Sequence, residues 1–191
     1  SSQALKYERV GNTHFDTAIF LNISKDHISP TEHKDFDDYK RCKGLLFKQC
    51  EIGIANVDDK YFEDVFAGAT CKTETFGFSE KADLRATDTH LVSRPGYLGV
   101  AYKVEGLIDI PGTFSVYNSL TAIAVCRHFG VPIDAIKKAL KVAKVKGRIE
   151  MIKVSDDFTL MIDYAHNAMS LESLLTTLKE YNPKRLVCLF G

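Results

Sequence analysis

An α/β fold follows from three features of the 191-residue chain. Two short apolar segments, HFDTAIFLNIS (14–24) and EIGIANVDD (51–59), share one form, a buried strand running into Asn and acids. The segment between them has a helical rather than an alternating period. The strand–helix–strand order then recurs near the C-terminus, where MIKVSDDFTLMIDYAH is followed by an amphipathic run and by RLVCLFG. Such an order predicts helices packed on a sheet, with ligands gathering at the C-terminal ends of its strands.

The elements can be justified in order. Within 14–24 the run Ala18 to Leu21 is expected to be buried. KDFDDYKRCKGLLFKQC (34–50) predicts one helix, because Phe36, Tyr39, Leu46, Phe47 and Cys50 share a face. Lys43 falls on that same apolar face, whereas Lys40 lies off it. Asp35, Asp37 and Asp38 suit the positive end of this helix. CKTETFGFS, DLRATDTHLVS and LGVAYKVEGLIDIPG read as short antiparallel strands. YNSLTAIAVCRHFG predicts a buried helix stopped by Gly130, and VPIDAIKKALKVAK an amphipathic one with Pro132 in its first turn. A boundary is expected at 147–150, which divides the chain into units 1–148 and 149–191. Beyond it come a hairpin turning near Asp156-Asp157 and a helix capped by Ser170, with Leu171, Leu174, Leu175 and Leu178 in one stripe. RLVCLFG should be a further buried strand.

Composition narrows the function classes. Lys+Arg and Asp+Glu both total 25, a balance that argues against nucleic-acid or anionic-membrane partners, whose binders carry a basic excess. No apolar run reaches the length of a membrane span, and no signal peptide opens the chain. Cys42, Cys50, Cys71, Cys126 and Cys188 are scattered, odd in number and without a CxxC pair. They read as reduced, mostly buried thiols of a cytoplasmic protein. Both ends read as cut, so a fragment is expected, and no GxxxxGK[ST] phosphate loop occurs.

The chemistry concentrates in a few motifs. NISKDHISPTEHKDF (22–36) holds two histidines and three carboxylates, and His27 follows on a strand end. A closed N/S ligand set for zinc is lacking. Lys43 is costly on an apolar face unless paired, and burial lowers a lysine's pKa. A neutral amine can take up carbon dioxide as a carbamate; the alternative is a lysine snorkelling from the edge of the face.

The ordered set Ser-Ser…Arg, NIxxDH, YxxCK, NxDD, PGxFxVYN, VxGRxE and DYAH resembles the Mur ligases over essentially the whole chain. Within that family it is most similar to the branch adding the third amino acid to UDP-N-acetylmuramoyl-L-alanyl-D-glutamate. The resemblance implies part of a central ATPase domain, without its phosphate loop, plus the start of a Rossmann-like C-terminal domain. It implies ATP-dependent amide formation through an acyl phosphate, with ATP and Mg2+ as cofactors, and a fragment inactive by itself. It makes His27 a magnesium ligand and Lys43 a carbamoylated lysine that helps hold the ion. Ser1 and Arg9 match positions that contact the UDP-muramoyl dipeptide. On the nucleotide side, Asn118 would meet adenine, Arg148 a phosphate and Asp163 ribose hydroxyls, with Tyr164 and His166 lining the same pocket. Ser115 stands where many relatives have Asn, and no role attaches to Asn56, Asp58 or Asp59. NAMSLE, which departs from the common TPDAL, leans toward lysine-adding members, although the amino-acid pocket is expected mainly beyond Gly191. Two other readings stay open: a folylpolyglutamate synthetase-like ligase and a non-catalytic binding module.

Overall fold

The structure, a computed structural model, describes residues 1–94, 97–104, 107–112, 116–143 and 145–190. A six-stranded sheet runs in sequence order: β1 (Phe15–Phe20), β2 (Cys50–Asn56), β3 (Lys72–Gly77), β4 (Leu84–Arg94), β5 (Tyr97–Val104) and β6 (Leu107–Gly112). The first four strands pair in parallel and the last three antiparallel. Parallel neighbours need a crossover. For β1 to β2 that crossover is α2 (Phe36–Gly44), and for β2 to β3 it is α3 (Phe62–Phe66). β3 was expected to be antiparallel. Instead it pairs in parallel with both β2 and β4, and the Asp83 carboxylate, just before β4, accepts bonds from the Thr75 amide and hydroxyl. Pro111 is accommodated because β6 is an edge strand.

Each face of the sheet is covered. On one, Ile54, Phe76, Tyr102 and Val104 pack under α4 (Val116–His128) and α5 (Ile133–Val142) through Leu120, Ile123, Ile136 and Leu140. On the other, Ala18, Phe20 and Ala55 pack under Tyr39 of α2, Val65 of α3 and Phe47, which lies between the two helices in sequence. Ile54 and Ala55, adjacent on β2, serve opposite faces, as the alternation of side chains along a strand demands. Burial on both faces makes β2 a continuous apolar strand. The edge strand β1 is different. Ile19 and Leu21 are exposed, so the expected buried run holds only at Ala18 and Phe20.

The long helix expected over 34–50 is shorter. It passes at Gly44 into a 3-10 turn, Leu45–Lys48, and Cys50 already belongs to β2. Gly44 is where α2 meets α3, and a Cβ there would lie 2.6 Å from the Val65 carbonyl oxygen. We expect Gly44→Ala to lower stability by about 1–3 kcal/mol, because backbone rather than a side chain would have to move. A urea melt checks this; an unchanged midpoint would show that the two helices slide apart freely.

Gly130 closes α4 with φ +73, the left-handed stop expected of it. Pro132 stands just before α5, at its N-cap, rather than inside the first turn. Further on, β7 (Glu150–Ile152) and β8 (Leu160–Ile162) form the expected antiparallel hairpin, followed by α6 (Ala168–Glu180). The cap of α6 is Asn167, whose side chain accepts from the Ser170 amide, so Ser170 lies inside the helix it was expected to cap. RLVCLFG is not a buried strand. Leu186, Val187, Leu189 and Phe190 are exposed, and among the described residues no strand lies alongside to complete a ladder. All five cysteines are free thiols, although only Cys42 and Cys50 are buried and Cys188 is exposed.

Candidate functional site

The C-terminal ends of β1 and β2 are tied together by short polar side chains. The Asn56 amide donates to the Leu21 carbonyl at 2.9 Å, and its oxygen accepts from the Asp58 amide at 3.0 Å. Asp59 accepts from the Ile23 amide at 3.1 Å. Asp58 accepts from the amides of Phe78 and Ser79 and from the Tyr117 hydroxyl, which brings the start of α4 to the same strand ends. Burial first, then the Asp58 carboxylate, push the Tyr117 phenol up to about 12, so it stays a donor. The NVDD segment, to which the sequence assigned no role, is therefore the buckle of the strand ends. Its spacing is ordinary Asx-turn chemistry and carried that signal.

Beside this buckle lies a cleft of about 280 Å³, lined by Ser1 and Ser2, by Ile19 of β1 and Leu21 just after it, and by Lys43 and Phe47. Ser1 caps α1 (Ser2–Lys6), its hydroxyl accepting from the Ala4 amide. Lys43, in the last turn of α2, is half-buried, and its ammonium lies 5.4 Å from the Tyr39 ring centroid. No carboxylate pairs with it among the described residues, and burial pushes its pKa down. Lys40, by contrast, is paired with Asp64 and Asp37 and stacks on Phe36 and Tyr61. The two neighbouring lysines thus have opposite environments.

His27 reaches the same surroundings from the loop after β1. Its ring centroid lies 5.7 Å from that of Tyr39, so Tyr39 is a common neighbour of His27 and Lys43. His27 has φ +56, uncommon for a side chain with a Cβ. The conformation is held by Asp26, which accepts from its amide, and by His33, whose amide donates to its carbonyl. Its Nδ1 is 3.0 Å from Glu32 Oε1. Burial, then the Asp26 and Glu32 carboxylates, raise the Tyr39 pKa.

His33, the second histidine of NISKDHISPTEHKDF, is fully buried. It bridges Ser2 Oγ at 2.9 Å and Asp38 Oδ2 at 3.3 Å. Asp38, expected as helix-start chemistry, is buried too and also takes Arg41 at 2.7 Å and Lys6 at 3.1 Å. Asp35 alone of the three acids caps α2. Partners about thirty residues apart leave no periodic trace, so this network was not legible in the sequence.

The other candidates fall elsewhere. Arg9 follows α1, stacks 5.7 Å from the Tyr7 ring centroid and does not line the cleft. Asn118 is exposed in the first turn of α4, next to Tyr117. Arg148, Asp163, Tyr164 and His166 do come together. Arg148 stacks 5.0 Å from the centroid of Tyr164, and the Tyr164 and His166 centroids are 5.1 Å apart. Asp163 accepts from the amides of Ile149 and Ala165 at 2.8 and 2.9 Å. Each of its oxygens keeps a second lone pair for another donor. Ser115 lies outside the described residues.

Residues 1–126 match the family model of the Mur ligase middle domain. The chain belongs to the Mur ligase family. Residues 147–191 of this Mur ligase chain match a second model, described as the Mur ligase, glutamate ligase domain. Among curated relatives, a UDP-N-acetylmuramoyl-L-alanyl-D-glutamate–2,6-diaminopimelate ligase of Clostridium acetobutylicum is 38% identical over 100% of this chain and 40% of its own. The ligase of the same name from Caldanaerobacter subterraneus is 35% identical with the same coverage. The chain therefore spans about two-fifths of the length of these relatives. Solved structures support the fold. The MurF ligase of Thermotoga maritima, in complex with ADP, superposes with TM-score 0.64 at 18% identity, over 85% of this Mur ligase chain and 39% of that one. Escherichia coli FolC, also with ADP, gives 0.64 at 22%, over 90% and 40%. Among the described residues of this Mur ligase chain, no helix is long and apolar enough to cross a membrane.

Proposed function

We propose that the protein containing this chain is an ATP-dependent ligase that joins 2,6-diaminopimelate to UDP-N-acetylmuramoyl-L-alanyl-D-glutamate. The observation that carries the reading is Lys43, a half-buried ammonium that lines a cleft, has no carboxylate partner among the described residues and shares Tyr39 as a neighbour with His27. An enzyme with no use for that residue would replace it by an apolar one, since an unpaired buried charge only destabilises. The names of the relatives supply the substrates, and they give diaminopimelate where NAMSLE leaned toward lysine.

In this reading ATP phosphorylates the terminal carboxylate of the muramoyl dipeptide, the incoming amine attacks the acyl carbon, and phosphate leaves. Such chemistry needs positioning and charge neutralisation more than covalent help from the protein. The lowered basicity of Lys43 favours the neutral amine that a carbamate requires, and the carbamate with His27 would supply the oxygen and nitrogen donors that hold Mg2+. The ion's contribution, when bound, is to neutralise phosphate charge. Ser1 and Arg9 bind the dipeptide, Ser1 from the cleft wall. Asn118 meets adenine, Arg148 a phosphate and Asp163 the ribose, with Tyr164 and His166 beside them. We place the division between units at 148/149, where this second group lies.

The test is ADP release by the full-length protein given ATP, Mg2+, the UDP-muramoyl dipeptide and one amino acid at a time. Diaminopimelate should support turnover at least about tenfold better than L-lysine, because a site built to bond a second carboxylate rejects an analogue lacking it. Preference for lysine would reverse the substrate assignment. Turnover only with a folyl acceptor and glutamate would favour the folylpolyglutamate synthetase alternative, whose fold is shared.

A further inference from the structure

The polar group buried beneath the cleft is not used by the chemistry above. His33 is wholly buried and Ser2 and Asp38 nearly so, although Ser2 also contributes to the cleft wall. They form a chain from α1 to α2: Ser2 Oγ to His33 Nε2 at 2.9 Å, then His33 Nδ1 to Asp38 Oδ2 at 3.3 Å. Lys6 strengthens it from the same helix, donating to Asp38 and, at 2.6 Å, to the Glu32 carbonyl. Cys42 Sγ donates to Asp38 at 3.8 Å, and His33, Asp38 and Cys42 are near enough to one another for a metal. Asp38 is, however, already neutralised by two cations, Lys6 and Arg41. A third positive charge there would be repelled, and a hydrogen-bonded strut accounts for every polar atom.

The ends of this strut matter. Ser2 adjoins Ser1, and Asp38 lies in the helix that carries Lys43 one and a half turns further on. α1 has only five residues and buries only Ser2 and Leu5, so packing alone holds it weakly. We propose that the Ser2–His33–Asp38 strut is a positioning device that fixes α1 against α2, and with it the placement of Ser1 relative to Lys43 for the UDP-muramoyl substrate. The inference rests on the functional reading above. His33 and Ser2 are positioning residues, acting through Ser1, and touch no reacting atom.

The experiment uses the full-length protein and Ser2→Ala, which removes one hydroxyl and keeps the helix. KM for the UDP-muramoyl dipeptide should rise by about tenfold, the usual cost of a misaligned contact, while KM for ATP stays within about twofold and kcat changes little. His33→Asn, which can still reach Asp38 but not Ser2, should copy this split. His33→Gln, whose longer amide can reach Ser2, should restore at least half of the lost affinity. A dipeptide KM unchanged in Ser2→Ala, or raised no more than that for ATP, overturns the strut. So does equal behaviour of the two His33 variants when both fold, since that is what mere space-filling would give. A wild-type protein inactive toward the dipeptide would instead sink the functional reading, and direct binding of UDP-muramoyl dipeptide to wild type and Ser2→Ala would then decide the strut on affinity alone.

Discussion

Lys43→Ala in the full-length protein should lose activity by about a hundredfold or more, the order expected when a group stabilising transition-state charge is removed. The loss should not come from unfolding. The wild-type ammonium is half-buried, pairs with no carboxylate among the described residues and is depressed in pKa by that burial, so its removal relieves a desolvation cost. Thermal stability should therefore stay the same or rise, within about 1 kcal/mol. Short carboxylates such as acetate or formate should restore part of the activity in Lys43→Ala, by occupying the space of the carbamate oxygens. They should do nothing for wild type. Lys40→Ala, one turn away, is the informative comparison. It breaks pairs with Asp37 and Asp64 and lies outside the lining of the cleft. If Lys43→Ala retains wild-type turnover, the carbamate has no part in the reaction.

Asp38→Ala should give the largest loss of stability. The carboxylate is buried and bound by Arg41, Lys6, His33 and Cys42, and its removal strands His33 in a site closed to water. Lys6 and Arg41 keep access to solvent, which lowers the cost below that of a fully interior pair, to about 2–3 kcal/mol. The Arg41 guanidinium first, and then Lys6 and His33, hold the Asp38 carboxyl well below the usual carboxylate range despite its burial. A carboxyl with a folded pKa below its unfolded one stabilises above the unfolded value and ceases to do so as pH falls through the folded one. Wild type should therefore lose stability progressively below about pH 4, and Asp38→Ala should show a flatter acid limb. Urea melts at pH 7 and pH 3 measure both effects. Parallel acid limbs in the two proteins would place the acid sensitivity in other carboxylates.

Much of the molecule was legible because local chemistry reports itself locally. The apolar runs of β1 and β2, the helical period between them, the hairpin of β7 and β8 and the stop at Gly130 each involve neighbours within a few residues. So does the anomaly of Lys43, a charge on an apolar helix stripe, which needs no partner to be noticed. Errors arose where a second segment decided the outcome. α2 passes into a 3-10 turn after Gly44, where the approach of Val65 leaves no room for a Cβ. β3 is parallel to β2 because α3 crosses between them, and Asn167 displaces Ser170 as a cap because its oxygen meets the Ser170 amide. RLVCLFG has the composition of a buried strand, but a strand is completed only by its neighbour's hydrogen bonds.

By itself the sequence determined the α/β class, the strand ends, the suspicious lysine and, through its ordered motifs, the family resemblance. The tertiary structure alone decided which charges are paired. Lys40 finds Asp64 across the α2–α3 contact, and Lys43 finds no carboxylate among the described residues. His33, one of two similar loop histidines in the sequence, is closed off between Ser2 and Asp38 while His27 stays open beside Glu32. Whether a side chain is a reactive group or a strut depends on burial and on partners distant in sequence, and those are fixed only when the chain closes on itself.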